Sequence, residues 1–66
     1  MTATEKKRTL DALAAAKAEI ADLTNLADAL VRLGRCVDAA SIRRDVAERQ
    51  IAVDKLVTTF HERQKA

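Results

Sequence analysis

Proline is absent from this chain, and Gly34 is its only glycine. These two residues are the usual interruptions of helices, so their scarcity leaves long stretches that a helix can occupy unbroken. Phe60 is the single aromatic residue, which weakens any prediction of base stacking on single-stranded nucleic acid. The sequence therefore favours uninterrupted helices with one marked break.

Cysteine is almost absent as well. The single Cys36 excludes an internal disulfide framework and fits a reducing cytoplasm. The basic trio Lys6-Lys7-Arg8 is followed by an amphipathic segment rather than an apolar signal-peptide core, and no run has the length of a membrane span. We expect a soluble, cytoplasmic protein with no membrane partner.

The chain is short, and its apolar side chains are small. Its 66 residues form one domain, 1–66, and 14 of them are alanine. A chain of this length buries little surface on folding and is rarely very stable as a monomer. We expect a second copy or a partner protein to supply the missing stability.

The positive charge of the chain lies at its ends. The net charge is only +2, too little for a strong field toward nucleic acid. The excess cations would meet at the open end of a hairpin, where they form a possible anion contact: Lys6, Lys7, Arg8, Arg63 and Lys65.

Two stretches have the apolar period of helices, with a first helix predicted over about residues 3–33 and a second over about 38–64. Thr2 or Thr4 caps the first and Asp38 the second. In the first, an apolar heptad seam is flanked by further large residues, and a face so wide favours more than one neighbouring helix. The seam is Leu13, Ala16, Ile20, Leu23, Ala27 and Leu30, flanked by Leu10, Leu26, Val31 and Leu33. The second seam is Ala39, Ile42, Val46, Val53, Leu56 and Phe60, with Val57 beside it.

The two seams are out of phase across the turn, residues 34–37. The a position of the heptad falls at residue 27 before the turn and next at residue 39 after it. This spacing of twelve is not a multiple of seven, and it matches no usual coiled-coil discontinuity. Gly34 fits as the left-handed residue that ends the first helix. We predict an antiparallel hairpin in which facing residues have numbers that sum to roughly 70, with large residues opposite small ones.

Arg49 stands where the second seam predicts an apolar residue. Three interpretations remain open: an arginine paired at the rim by Glu19 or Asp45, a polar residue with Glu19 that fixes the register of a dimer, or a contact to a ligand or RNA.

No pattern points to catalysis. Cys36 and His61 would lie at opposite ends of the hairpin, too far apart for a dyad or a shared metal. The sequence has no nucleophile–base set and no phosphate-binding glycine loop. We therefore predict no enzyme, no catalytic residue, no metal and no cofactor.

The predicted fold is an all-α antiparallel two-helix hairpin that completes a four-helix bundle by dimerising or by docking on a larger protein. The residues predicted at the partner or dimer interface are Leu10, Leu13, Ile20, Leu23, Leu26, Leu30, Leu33, Val46, Val53, Val57 and Phe60.

The predicted function is a protein-interaction module: an adaptor, a co-chaperone or an inhibitor-type modulator. The alternative is a homodimer that binds RNA or DNA. In length, turn position and alternating core layers, the chain resembles plasmid-encoded RNA-binding helical hairpins, a resemblance that implies a dimer gripping RNA with one helix face. In size and shape it is also similar to helical-hairpin co-chaperones of type III secretion needle subunits, which implies a chaperone role.

Overall fold

A computed structural model describes residues 2–65 as two antiparallel α-helices joined by a short turn. Helix α1 spans Ala3–Arg32 and helix α2 spans Cys36–Lys65, each of 30 residues. The Cα atoms extend over 49 × 16 × 10 Å, as expected for two helices side by side. The predicted all-α helical hairpin is confirmed.

Thr2 begins α1. Its backbone is extended, with φ −77° and ψ 161°, and its Oγ1 accepts a hydrogen bond from the backbone N–H of Glu5 at 3.1 Å. That bond satisfies one of the first-turn N–H groups that have no partner within the helix. Of the two threonines predicted as the cap, Thr2 is the one that caps.

Gly34 ends α1 in a Schellman turn. The Gly34 N–H donates to the Val31 carbonyl at 3.0 Å, and the Arg35 N–H donates to the Leu30 carbonyl at 2.8 Å. This pattern requires a left-handed residue, and Gly34 has φ +78°. No nearby atom would clash with an added Cβ, so the backbone conformation alone selects glycine. The predicted left-handed cap is confirmed.

Helix α2 begins at Cys36, two residues before the predicted start. Asp38 is therefore not the N-cap: it lies in the first turn, and its carboxylate pairs with the Arg35 guanidinium at 2.7 Å. The first α2 hydrogen bond runs from the Ala39 N–H to the Arg35 carbonyl. Because the Schellman turn reverses the chain within Leu33–Arg35, no further linker residues are needed. Asp38 still favours the helix through its charge near the positive end of the dipole.

The core is one narrow line of side chains between the helices. Among residues 2–65 it contains five buried residues, and all of them occupy the same heptad position, the one that points most directly at the other helix. They are Leu13, Ala27, Ala39, Val53 and Phe60. The hairpin thus buries one edge of each predicted seam.

Two ion pairs between the helices show the register. Asp28 pairs with Arg43 at 3.3 Å, and Glu19 pairs with Arg49 at 3.0 Å. The residue numbers of these pairs sum to 71 and 68, on either side of the predicted value. The predicted antiparallel register is confirmed.

Replacement of Gly34 by alanine tests the turn. We expect Gly34→Ala to lower the free energy of unfolding by about 1 kcal/mol or more, because alanine is strained at this positive φ. Gly34→Asn is the matched control and should lose less, since asparagine tolerates the left-handed region. Urea unfolding at constant m-value measures both variants. An alanine variant as stable as the wild type would contradict the strained turn.

Candidate interaction surface

The hairpin leaves more surface in water than a compact protein of its mass. Its accessible surface is 5085 Å², whereas a compact 7.2 kDa monomer exposes about 4,100 Å². The excess of about 1,000 Å² is comparable to the roughly 800 Å² that each partner buries in a protein–protein interface of standard size. The shape of the chain therefore leaves room for one such interface.

Large apolar side chains are concentrated on one side of the hairpin, which we call the leucine flank. It consists of Leu26 of α1, Leu33 at the C-terminal cap of α1 and Leu56 of α2, which remain 48%, 74% and 41% exposed. All three occupy heptad positions on the same edge of the inter-helix seam. Exposed apolar side chains grouped on one side of a molecule are typical of sites that bind another protein.

An apolar groove of about 200 Å³ lies on the same flank, near the middle of the hairpin. Alanines on both helices open it, because a methyl side chain does not fill the space between the backbones. The heptad pattern did not predict this groove, although the small residue Ala16 in a core position is its signal in the sequence. Its lining is Ala16, Glu19, Ile20, Arg49, Ala52, Val53 and Leu56.

Arg49 forms the polar rim of the groove. Its Nη1 lies 3.0 Å from the Glu19 carboxylate, and its Nε donates to Asp45 Oδ1 at 3.2 Å. These two hydrogen bonds, first that to Asp45, raise the pKa of Arg49 above its ordinary value. The guanidinium is therefore charged throughout the physiological range, and it is bound by both of the carboxylates considered from the sequence.

The predicted interface residues divide into three groups. Leu13, Val53 and Phe60 are buried between the two helices, and so they are not available to a partner. Leu10, Leu26 and Leu33 are exposed. Those that are partly buried are Ile20, Leu23, Leu30, Val46 and Val57.

The opposite flank has fewer exposed apolar residues. Leu10 is 46% exposed near its open end and Val31 is 39% exposed near the turn. Between them lies the ion pair of Asp28 and Arg43. This flank therefore presents separate apolar residues around a charged centre.

The outer face of α2 carries single apolar residues. Val37 is 84% exposed and Ile51 is 56% exposed. A shallow depression of about 500 Å³ beside Ile51 is lined by α2 residues alone, mostly polar ones. Isolated exposed apolar residues of this kind are ordinary on protein surfaces.

The five cations predicted at the open end do lie at one end of the hairpin. Lys6, Lys7 and Arg8 belong to the first turns of α1, while Arg63 and Lys65 belong to the last turn of α2. All five are exposed.

Cys36 and His61 lie at opposite ends of the hairpin. Cys36 is a free, exposed thiol in the first residue of α2. His61 is exposed near the other end and packs edge-on against Phe60, with 6.0 Å between ring centroids.

Comparison with protein-family models, with curated proteins and with solved structures gave no match. Within residues 2–65, neither helix has the apolar length that a membrane crossing requires.

Replacement of Arg49 by leucine tests the polar rim. We expect Arg49→Leu to raise the melting temperature and to change the oligomeric state, because a continuous apolar flank no longer specifies one register. Arg43→Leu is the control, since Arg43 pairs across the hairpin outside the groove. Thermal melts and light scattering measure both. If Arg49→Leu alters neither quantity, Arg49 does not fix register.

Proposed function

We propose that this protein is a small, non-enzymatic interaction module that acts by placing its leucine flank against another protein surface. The observation that carries the proposal is the coincidence, on one flank, of Leu26, Leu33 and Leu56 with an apolar groove. The excess surface of about 1,000 Å² over a compact chain supports it, because one interface of standard size would remove most of that excess.

The chemistry of the groove supports binding rather than catalysis. Its charged lining residues, Glu19 and Arg49, are bound to each other, so neither is poised to act on a substrate. The rest of the lining is aliphatic, which suits the apolar side chains of a partner helix. An adaptor, a co-chaperone and an inhibitor-type modulator all act in this way.

A cytoplasmic location belongs to the same proposal. The support is Cys36, a free thiol exposed at the turn, which is the state of cysteine that a reducing compartment maintains.

A second candidate function is the binding of RNA or DNA, and the open end favours it. The hairpin gathers Lys6, Lys7, Arg8, Arg63 and Lys65 at one end, and cations in such a group can bind phosphates. The low net charge of +2 and the lack of aromatic residues for stacking place this function second.

Stability measurements test the proposed module. We expect the isolated monomer to be only marginally stable, below the usual range of about 5–15 kcal/mol, because its flank remains in water. Assembly or an added partner should raise the melting temperature with concentration. Leu26→Lys combined with Leu33→Lys should abolish that dependence, and Ile51→Lys on the outer face of α2 is the control.

The proposal would be rejected by a monomer whose free energy of unfolding exceeds about 5 kcal/mol and does not change in the double lysine variant.

Salt titration tests the second candidate. Binding to a random-sequence RNA or DNA probe should weaken steeply with salt if the open end contacts phosphates. Replacement of Lys6, Lys7 and Arg8 by glutamine should reduce the slope of log K against log salt by about 0.7–0.9 per lost contact. Replacement of Arg44, which is exposed near the turn, is the control. Binding that is absent or insensitive to salt excludes this function.

A further inference from the structure

The α1 side of the leucine flank has a half with large side chains and a half with small ones, and Leu56 of α2 lines the groove in the second half. Residues 22–33, next to the turn, contain four leucines, whereas residues 12–21 contain six alanines. On the flank itself, Leu26 and Leu33 project in the first half, and the groove opened by Ala16 and Ala52 occupies the second. The exposed leucines Leu26 and Leu33 and the groove thus lie at different positions along the hairpin.

The groove is large enough to hold a leucine side chain. Its volume is about 200 Å³, and an apolar cavity of about 150 Å³ holds a benzene molecule, which is larger than the side chain of leucine. Leu26, at 48% exposure, has the chemistry and the size that the groove accepts.

A second copy of this chain has both parts, and only one orientation brings them together. If the two turns lay at the same end, the leucine halves would meet each other and the two grooves would face each other across a gap. If one copy is turned end over end, the large half of each copy covers the small half of the other. Protein interiors favour the second arrangement because large and small residues interdigitate without voids.

We propose that the occupant of the leucine flank is a second copy of the chain, docked end over end so that the two turns lie at opposite ends of a four-helix bundle. Leu26 of each copy enters the groove between Ala16 and Ala52 of the other. This inference rests on the proposed function, which it deepens by naming the partner and the orientation. The contact is isologous, as a twofold dimer requires.

The register of this dimer gives Arg49 a role. If Leu26 lies over Ala16 of the second copy, the twofold axis passes midway, beside Ala21. The two cross-helix ion pairs, whose residue numbers sum to 71 and 68, place α2 residues 47–50 opposite Ala21, and Arg49 is among them. The two Arg49 side chains therefore meet near the axis, each held by its own Glu19 and Asp45.

The area of the surface agrees with a single interface of this kind. The overlap along α1 extends from about residue 10 to Arg32, or roughly 33 Å at 1.5 Å per residue. A standard interface removes about 800 Å² from each partner, against the excess of about 1,000 Å² over a compact chain. One flank-to-flank contact is sufficient to bring the chain close to the surface of a compact protein.

The native Cys36 reports the orientation directly. It is the single cysteine of the chain, exposed beside the turn, so a nitroxide label can be attached without mutation. The end-over-end dimer places the two turns about 40 Å apart, from roughly 13 residues on each side of the axis at 1.5 Å per residue. Turns at the same end would be about 10–20 Å apart, the spacing of neighbouring helices and their labels. Pulsed electron paramagnetic resonance on the labelled full chain distinguishes these distances.

Two leucines with nearly equal exposure test which flank forms the dimer interface. Leu26 and Leu10 are 48% and 46% exposed on opposite flanks. We expect Leu26→Glu to weaken the dimer at least about a hundredfold, because each dimer contains the contact twice, and Leu10→Glu to change it less than about threefold. Sedimentation measures the dissociation constants, and circular dichroism checks that each variant is helical.

A size exchange tests the fit of Leu26 in the groove. Ala52→Leu should weaken the dimer by filling the groove, and so should Leu26→Ala by removing the side chain that enters it. The double variant Leu26→Ala with Ala52→Leu should restore part of the lost affinity, because it moves the large side chain to the other side of the same contact.

The outcomes separate the inference from the proposed function. A label distance below about 20 Å, near the spacing of neighbouring helices, or dissociation by Leu10→Glu in place of Leu26→Glu, overturns this dimer but leaves an interaction module. A marginally stable monomer at every concentration does the same, since the partner must then be another protein. A stable monomer whose stability is unchanged in Leu26→Glu overturns both this dimer and the interaction module. A distance near 40 Å together with loss of the dimer in Leu26→Glu supports both.

Discussion

Two helices can bury only a narrow stripe of each other, and the rest of this structure follows from that limit. The apolar face of α1 is wider than one seam, because Leu26 and Leu33 lie beside the residues that face α2. The hairpin therefore satisfies one edge of the face and leaves the other in water. Five side chains, two of them alanine, form the whole described core, which is little apolar burial for a chain that must order two helices of 30 residues. The exposed flank and the thin core have the same cause.

The short turn limits how α2 can be placed against α1. A Schellman cap at Gly34 reverses the chain within three residues, so α2 starts at Cys36 and has little freedom to slide or rotate against α1. With the helices held in this register, the methyl side chains of Ala16 and Ala52 lie across from each other. The groove is the space that these two small side chains leave unfilled. A longer turn could have allowed a different rotation of α2 and a different open flank.

The charged groups interrupt a flank that is otherwise largely apolar. Arg49 lies at the rim of the groove between Glu19 and Asp45, in a position where a leucine would make the flank continuous. Exposed ion pairs contribute little to stability, so a gain in stability does not explain this cluster. A polar group that interrupts an apolar surface restricts the registers in which that surface can be covered. For the proposed interface, this restriction holds whether the partner is a second copy or another protein.

Much of the fold was predictable because it depends on local rules. The heptad spacing of Leu13, Ile20 and Ala27 indicated a helix, and the phase break across Gly34 indicated a reversal instead of a continuous rod. Helix starts were less predictable. Asp38 is a common capping residue, yet the cap position belongs to Arg35, because the geometry of the preceding turn decided where the first helical hydrogen bond could form.

The site was only partly predictable from the same residues. The period identified Leu26 and Leu33 as members of a wide apolar face, but it also assigned Leu13, Val53 and Phe60 to the interface, and the hairpin buries these three. Leu56 shows the opposite error: its spacing predicts a core position, and it is 41% exposed. Pattern alone gives the angle of a side chain around its own helix, while burial depends on the angle of the neighbouring helix as well.

By itself, the sequence determined two helices, one break between them and an antiparallel arrangement, since these follow from propensity, period and the conformational freedom of a single glycine. Only the tertiary structure decided which flank stays open, where the groove lies and how Arg49 is held by two carboxylates at once. The reason is that each of these features depends on the relative rotation and register of α1 and α2. That rotation is a property of the packed pair, and the apolar period of either helix alone does not predict it.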